Sequence, residues 1–293
     1  MKNTFRNKSS NNQKQKANYP ERKFFLPAQI VESFIVKGES HVNRPMPRQF
    51  ILSINAGAFV AFGAILSVLL SMGVSSTGVH NLLAGIGFAS GYAIVFISGA
   101  ILFTEVNVLL PAYLLQKKFW IPRGILQFWG ACYVGNVLGA LAVAFLVVAS
   151  GSLSPEFFQE LNVFIRHKMQ FMENGTIGWF QILLSGIVAN WLIGMAAFLA
   201  TAARDLTGKV LGTALPVIIF VAGNFQHSVA NMGYFSTALV AGAEYTWSEF
   251  LIYNLLPASI GNLFGGGLLV ALTFSYAYKE EINKNNVPKE EAE

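Results

Sequence analysis

The chain has 293 residues, of which 54% are apolar and only 12% charged. Charge at about half the usual frequency excludes a disordered protein or a nucleic-acid coat and argues against a soluble enzyme. The excess of 20 Lys and Arg over 15 Asp and Glu sits at the ends and in loops, so no nucleic-acid partner is expected.

The first 47 residues are polar and rich in Lys and Arg. They hold no apolar stretch of the kind a cleaved signal peptide needs. Residues 1–24, dominated by Asn, Lys and Gln, read as disordered, and Ala28 to Val36 as a short amphipathic helix at the membrane interface. Six apolar segments follow, each long enough to cross a bilayer. They run Phe50 to Met72, Asn81 to Leu115, Ile121 to Ala149, Trp179 to Thr201, Val210 to Ala241 and Phe250 to Tyr278. The second and fifth are too long for one simple helix. The single cysteine, Cys132, lies inside the third and excludes an intramolecular disulfide, a thiol zinc site or a redox pair. The expected fold is an all-α membrane protein with six transmembrane helices. Residues 1–47 form a polar N-terminal arm, 48–279 the membrane domain and 280–293 a charged tail.

Loop charges set the orientation. The arm is basic, the second loop carries Lys117, Lys118 and Arg123, the fourth Arg204 and Lys209, and the tail Lys279, Lys284 and Lys289. The first and fifth loops have neither Lys nor Arg, and the third sets Arg166 and Lys168 against Glu156, Glu160 and Glu173. By the positive-inside rule both termini are cytoplasmic, as an even span count requires. The chain reads as a multi-pass integral protein of a bacterial-type plasma membrane, with lipid as its surroundings.

The third and sixth segments share a motif. Gly135-Asn136-Val137-Leu138-Gly139 returns as Gly261-Asn262-Leu263-Phe264-Gly265, 126 residues later. The two over-long segments also stand three spans apart, and each has a polar interruption. In the second it is Phe103-Thr104-Glu105-Val106-Asn107; in the fifth it is Phe225-Gln226-His227-Ser228-Val229-Ala230-Asn231. Three spans between partners make an inverted repeat, and paired broken helices in such a repeat point to a substrate site near the bilayer midplane. Small residues at this spacing also simply pack helices, and the shared motif alone leaves that reading open. Two half-helix N-termini aimed inward favour a small anion.

Glu105 and His227 are the two ionisable side chains clearly inside the spans, and an intramembrane ionisable group is a functional candidate by default. His227 stands among Asn224, Gln226, Ser228 and Asn231, and its proton moves near neutral pH, which suits a proton donor or anion gate. Thr104 offers a hydroxyl at the matching break, unless that hydroxyl only bonds back to a preceding carbonyl. Glu105 has three readings: it caps the following half-helix, pairs with a cation or faces the cytoplasmic mouth. Lys168 falls on the other side of the membrane from it.

At these residues the sequence resembles the formate/nitrite transporter family. The resemblance runs from Leu26 to Tyr278 and rests on Leu102-Phe103-Thr104 with Leu114-Leu115-Gln116-Lys117, on Asn190-Trp191-Leu192, on Phe225 to Met232 and on Gly261 to Gly267. It implies an aquaporin-like protomer, a homopentamer with one pore per protomer, and passage of small monovalent anions or their acids, such as formate, nitrite, hydrosulfide, acetate or lactate. It makes His227 and Thr104 the central polar pair. It places Phe88 and Phe220 at an outer apolar slit and Tyr92, Leu102 and Ile193 at an inner one. Phe103, Asn190, Asn231, Glu105 and Lys168 complete the expected substrate pathway. Four positions depart from the family pattern. Ile101 stands where an acid is usual, Glu105 where a small residue is usual, Gln226 where an acid is usual, and Asn174 where a vestibule lysine is usual. Lys168 fills the last role if a short insertion follows it.

A bare anion in a low-dielectric constriction is costly. The expected function is therefore transport of small anions with proton coupling: Thr104 and His227 hold the anion, and a proton from His227, or from water relayed by it, yields the neutral acid. A passive anion channel gated by the arm, or a non-conducting sensor or scaffold, are the alternatives. A water or glycerol channel would carry paired Asn-Pro-Ala motifs and an ammonia channel two facing histidines; neither is present. An enzyme would need a nucleophile–base pair or a metal cluster. No enzyme activity, cofactor or metal is expected.

Overall fold

The computed structural model describes residues 24–117 and 123–286. The expectations for residues 1–23, for Lys118 and for Lys289 lie outside these. Within them the chain is helical apart from one antiparallel bridge between Phe24 and Ala203.

Helix α1 (Pro27–Asn43) precedes α2 (Met46–Ser71), α3 (Thr77–Ser98), α4 (Phe103–Gln116) and α5 (Arg123–Ser150). After these come the amphipathic α6 (Pro155–Met169), then α7 (Gly175–Ala202), α8 (Leu206–Ala222) and α9 (Ser228–Val240). The long α10 (Trp247–Ala277) contains two π-helical stretches, Leu251–Leu255 and Gly267–Leu272, and α11 (Lys279–Asn286) follows it.

Among the described residues five helices are long and apolar enough to cross a membrane, one fewer than the six spans expected. The difference lies in the fifth segment. It is divided between α8, with 17 residues, and α9, with 13, so neither half reaches a bilayer's length alone. The second segment is divided in the same way between α3 and α4, but α3 has 22 residues and qualifies by itself.

Both interruptions have a local cause. Helix α3 stops at Gly99, which takes the left-handed conformation at φ +71. The chain then runs extended to Leu102, at φ −101 and ψ 127, before α4 starts. Helix α8 stops before Gly223 and Asn224, and Asn224 is left-handed at φ 52. His227 then repeats the extended geometry of Leu102, at φ −105 and ψ 119.

The freed backbone groups are met by the two asparagines of the shared motif. Asn136 of α5 accepts the Phe103 N–H at 2.8 Å and donates to the Ser53 and Ile101 carbonyls at 2.7 and 3.1 Å. Asn262 of α10 accepts the Ser228 N–H at 2.8 Å and donates to the Gly186 and Gln226 carbonyls at 2.8 and 3.0 Å. The glycines of the motif also pack helices. A methyl on Gly139 would strike the Ile54 carbonyl of α2, and one on Gly261 the Leu183 carbonyl of α7. The motif therefore packs helices through its glycines and bonds the interrupted backbone through its asparagines.

The expected interfacial helix is longer than Ala28 to Val36 and buries one face. Ile30, Val31, Phe34 and Ile35 pack with Val108 and Leu109 of α4 and with Ala197 and Phe198 of α7. Its start is tied down by the Phe25 N–H on the Ala202 carbonyl at 2.9 Å. At its end the Gln49 amide reaches the His41 and Arg44 carbonyls, both at 2.7 Å. Burial, with the Lys37 and Arg44 charges, pushes the His41 imidazole down to about 3, so it is neutral in the docked helix. In the tail, Ile282 of α11 is buried in the same cluster.

Candidate functional site

The interruption in α8–α9 delivers His227 to the middle of the molecule as the N-cap of α9. Its Nδ1 accepts the Ala230 N–H at 3.0 Å. With Nδ1 accepting, the neutral ring carries its proton on Nε2. Nε2 lies 2.6 Å from the Tyr92 hydroxyl oxygen, so the ring N–H donates to it. The Tyr92 hydroxyl in turn reaches the Thr104 hydroxyl at 3.4 Å. Thr104 is held from behind, its carbonyl accepting from the Asn190 amide at 3.2 Å. All of these groups are fully buried.

Aromatic rings extend from this centre in both directions. Phe88, Tyr92 and Phe96 follow one another at four-residue spacing on one face of α3, with ring centres 5.8 and 6.1 Å apart. Phe220 sets its ring edge-on to Phe88 at 5.5 Å and lies 5.4 Å from the His227 ring. Beyond Phe88, Tyr234 stacks at 5.8 Å. The Lys168 ammonium stands 5.4 Å over Tyr234 and donates to the Asn224 side-chain oxygen at 3.4 Å. At the other end of the row, the Lys37 ammonium lies 5.8 Å from the Phe96 ring. Lys37 is ion-paired with Glu105, the residue after Thr104. A line of rings thus joins two lysines, with the histidine and threonine at its middle.

The residues expected on the pathway divide into two sets. His227, Thr104, Tyr92, Phe88 and Phe220 meet at the centre, with Leu102 and Ile193 fully buried in the same cluster. Lys168 and Glu105 stand toward opposite ends of the row. Phe103, Asn190 and Asn231 brace the elements instead. The Phe103 ring packs edge-on against Tyr133 at 4.8 Å. The Asn231 amide donates to the side-chain oxygens of Gln226 at 2.9 Å and Asn254 at 2.6 Å. Asn254 also donates to the Lys168 carbonyl at 3.2 Å, tying α10 to α6. Asn174 bonds Gln181 at the surface, so Lys168 rather than residue 174 supplies the ammonium beside Asn224.

Of the three readings for Glu105, pairing with a cation is realised, and that cation is Lys37. Sequence reasoning missed Lys37, Tyr234 and Asn254. An acid isolated in an apolar span demands a partner, which was the available signal for Lys37. No spacing pointed to the other two.

Long apolar helices around this buried polar centre define a multi-pass integral membrane protein. The sequence profile described as formate/nitrite transporter matches residues 28–276, and the chain belongs to the formate/nitrite transporter family. It is 32% identical to a probable formate transporter of Methanothermobacter thermautotrophicus, over 88% of this chain and 98% of that protein. It is 29% identical to the formate channel FocA of Escherichia coli (strain K12), over 87% of this chain and 95% of that protein. Among solved structures, a pentameric formate channel with formate bound superposes with a TM-score of 0.67 at 24% identity, covering 80% of this chain and 98% of that one. A second, titled FNT family ion channel, gives 0.71 at 23% identity, covering 86% and 98%.

Proposed function

We propose that this protein carries small monovalent anions such as formate or nitrite, or their conjugate acids, across the membrane, one pathway per protomer of a homopentamer. The observation that carries this is the row of rings with a lysine at each end and the buried His227, Thr104 and Tyr92 at its centre. Phe88 and Phe220 form one apolar slit; Tyr92, Leu102 and Ile193 form the other. The relatives called formate transporter and formate channel support the substrate class.

The membrane arrangement proposed is six spans in an aquaporin-like inverted repeat. Helices α3–α4 and α8–α9 are its broken spans, and both termini are cytoplasmic. The matching backbone of Leu102 and His227, clamped by Asn136 and Asn262, supports the repeat. The arm of residues 1–47, the membrane domain 48–279 and the tail 280–293 stay as the proposed division.

An anion entering past Lys168 sheds water between Phe88 and Phe220, which favours its protonated form. At the centre it takes the Nε2–H of His227 in place of the Tyr92 hydroxyl, and Thr104 donates to its other oxygen. Because Ala230 occupies Nδ1, the ring becomes doubly protonated only by giving up its cap on α9. This supports His227 as a fixed donor that holds the anion while a proton arrives from vestibular water. The neutral acid then crosses the second slit.

Uptake of labelled formate into proteoliposomes tests this. Flux should rise with an imposed inward proton gradient, and His227→Phe should abolish it. Unchanged transport in that variant overturns the role given to His227. Flux that follows only the formate gradient and voltage makes the protein a passive anion channel.

A further inference from the structure

The proposed pathway leaves one group unexplained. Glu105 follows Thr104 in the first turn of α4, and its carboxylate side chain is only 3% exposed. A bare carboxylate there would repel any anion held by Thr104, and sealing an unpaired charge in an apolar interior is costly in itself. The partner comes from an element outside the spans. Lys37 of α1 pairs with Glu105 while its own side chain is 36% exposed. It also lines an open groove beside α1 with Gln29, Glu32 and Ser33. One member of the pair is therefore sealed beside the polar centre and the other reaches water.

Helix α1 is anchored at both ends and along its face, and this sets where Lys37 stands. It is tied at its start to the Ala202 carbonyl and at its end to the Gln49 amide. One turn from its middle, Gly38 rests against the Leu109 carbonyl of α4, where a methyl would come within 2.7 Å. The contact sets α1 against the half-helix that Thr104 and Glu105 begin.

Resting on the transport reading above, we propose that Lys37 is a selectivity-determining residue. It neutralises Glu105, so that no bare carboxylate repels anions at the end of the row opposite Lys168. The N-terminal helix is on this reading a working part of the conduction path, and Glu105 is tolerated only because Lys37 covers it.

Formate flux in proteoliposomes of the wild type, K37Q, K37R, E105Q and K37Q/E105Q tests this. K37Q should lose flux by about tenfold at low salt, the scale on which a charge at a constriction changes anion access. Added impermeant salt should shrink that loss. K37R should stay near the wild type, E105Q, which leaves Lys37 unopposed, should gain flux at low salt, and K37Q/E105Q should recover. Wild-type flux in K37Q overturns the proposal. So does a double variant as slow as K37Q, which would make the pair a structural tie only. Absence of formate flux in the wild type overturns the transport reading and this one with it; wild-type flux with K37Q unchanged overturns this one alone.

Discussion

At the centre of the molecule His227, Tyr92 and Thr104 already bond one another. The His227 Nε2–H is spent on the Tyr92 hydroxyl at 2.6 Å, and that hydroxyl faces Thr104 at 3.4 Å. On the proposed pathway an incoming anion must displace Tyr92 before it is bound. A single net hydrogen bond contributes about 1 kcal/mol, so removing this competitor has a measurable effect. Tyr92→Phe should lower the formate KM by about threefold to tenfold, as read from the concentration dependence of uptake. A raised KM would instead make the Tyr92 hydroxyl a ligand of the anion. His227 and Thr104 were legible in the sequence because polar groups are rare inside apolar runs. The hydroxyl bridge between them was not, because Tyr92 looks like one more aromatic on α3. The departure at Gln226 is likewise explained only in three dimensions. Its side-chain oxygen accepts from Asn231 and Asn254, so a neutral amide fills the site without a charge. At Ile101 the side chain is wholly buried, and the backbone carbonyl is what the clamp uses.

Each helix interruption leaves backbone groups that lipid cannot satisfy, and a side chain from another helix must do so. Asn136 and Asn262 each make two such bonds and a third to a carbonyl of α2 or α7, so each break is held by a helix distant in sequence. Asn262→Ala removes an acceptor and two donors at once and strands buried partners. It should destabilise the protein by about 3 kcal/mol or more, seen as a lowered Tm in detergent. An unchanged Tm would mean that the break holds itself and that the motif serves only helix packing. The repeat was legible as a pattern, because Gly-Asn returns after 126 residues. Which of its residues pack and which clamp depended on how α5 faces α2 and α10 faces α7. The length of a span was the least legible feature. An apolar run does not mark where Gly99 or Asn224 turns left-handed and divides it.

Over the whole protomer, large apolar side chains face outward. Leu146 and Ile177 are each 70% exposed, Phe145 is 61% exposed, and Leu184, Leu215 and Ile219 are exposed as well. A soluble monomer does not show so many large apolar side chains on its surface, and a lipid environment accounts for them. The homopentamer proposed above predicts, by native mass spectrometry in detergent, a particle of five 31.9 kDa chains. A monomer that still transports would remove the pentamer from the mechanism, in keeping with the pathway proposed for each protomer.

Apolar length, the alternation of loop charge and the scarcity of buried polar residues are properties of the chain itself. They were enough to read a helical membrane protein, a recurring Gly-Asn motif, and a histidine and a threonine that the fold brings together. The tertiary structure decided everything that depends on which surfaces meet. It paired Lys37 with Glu105 across 68 residues of sequence and set Tyr92 between His227 and Thr104. It also chose the helices whose asparagines hold the breaks. The physical reason is that a hydrophobic run can be read from residue types in order, whereas a hydrogen bond or ion pair demands a distance. Distances between remote residues exist only once the helices have packed.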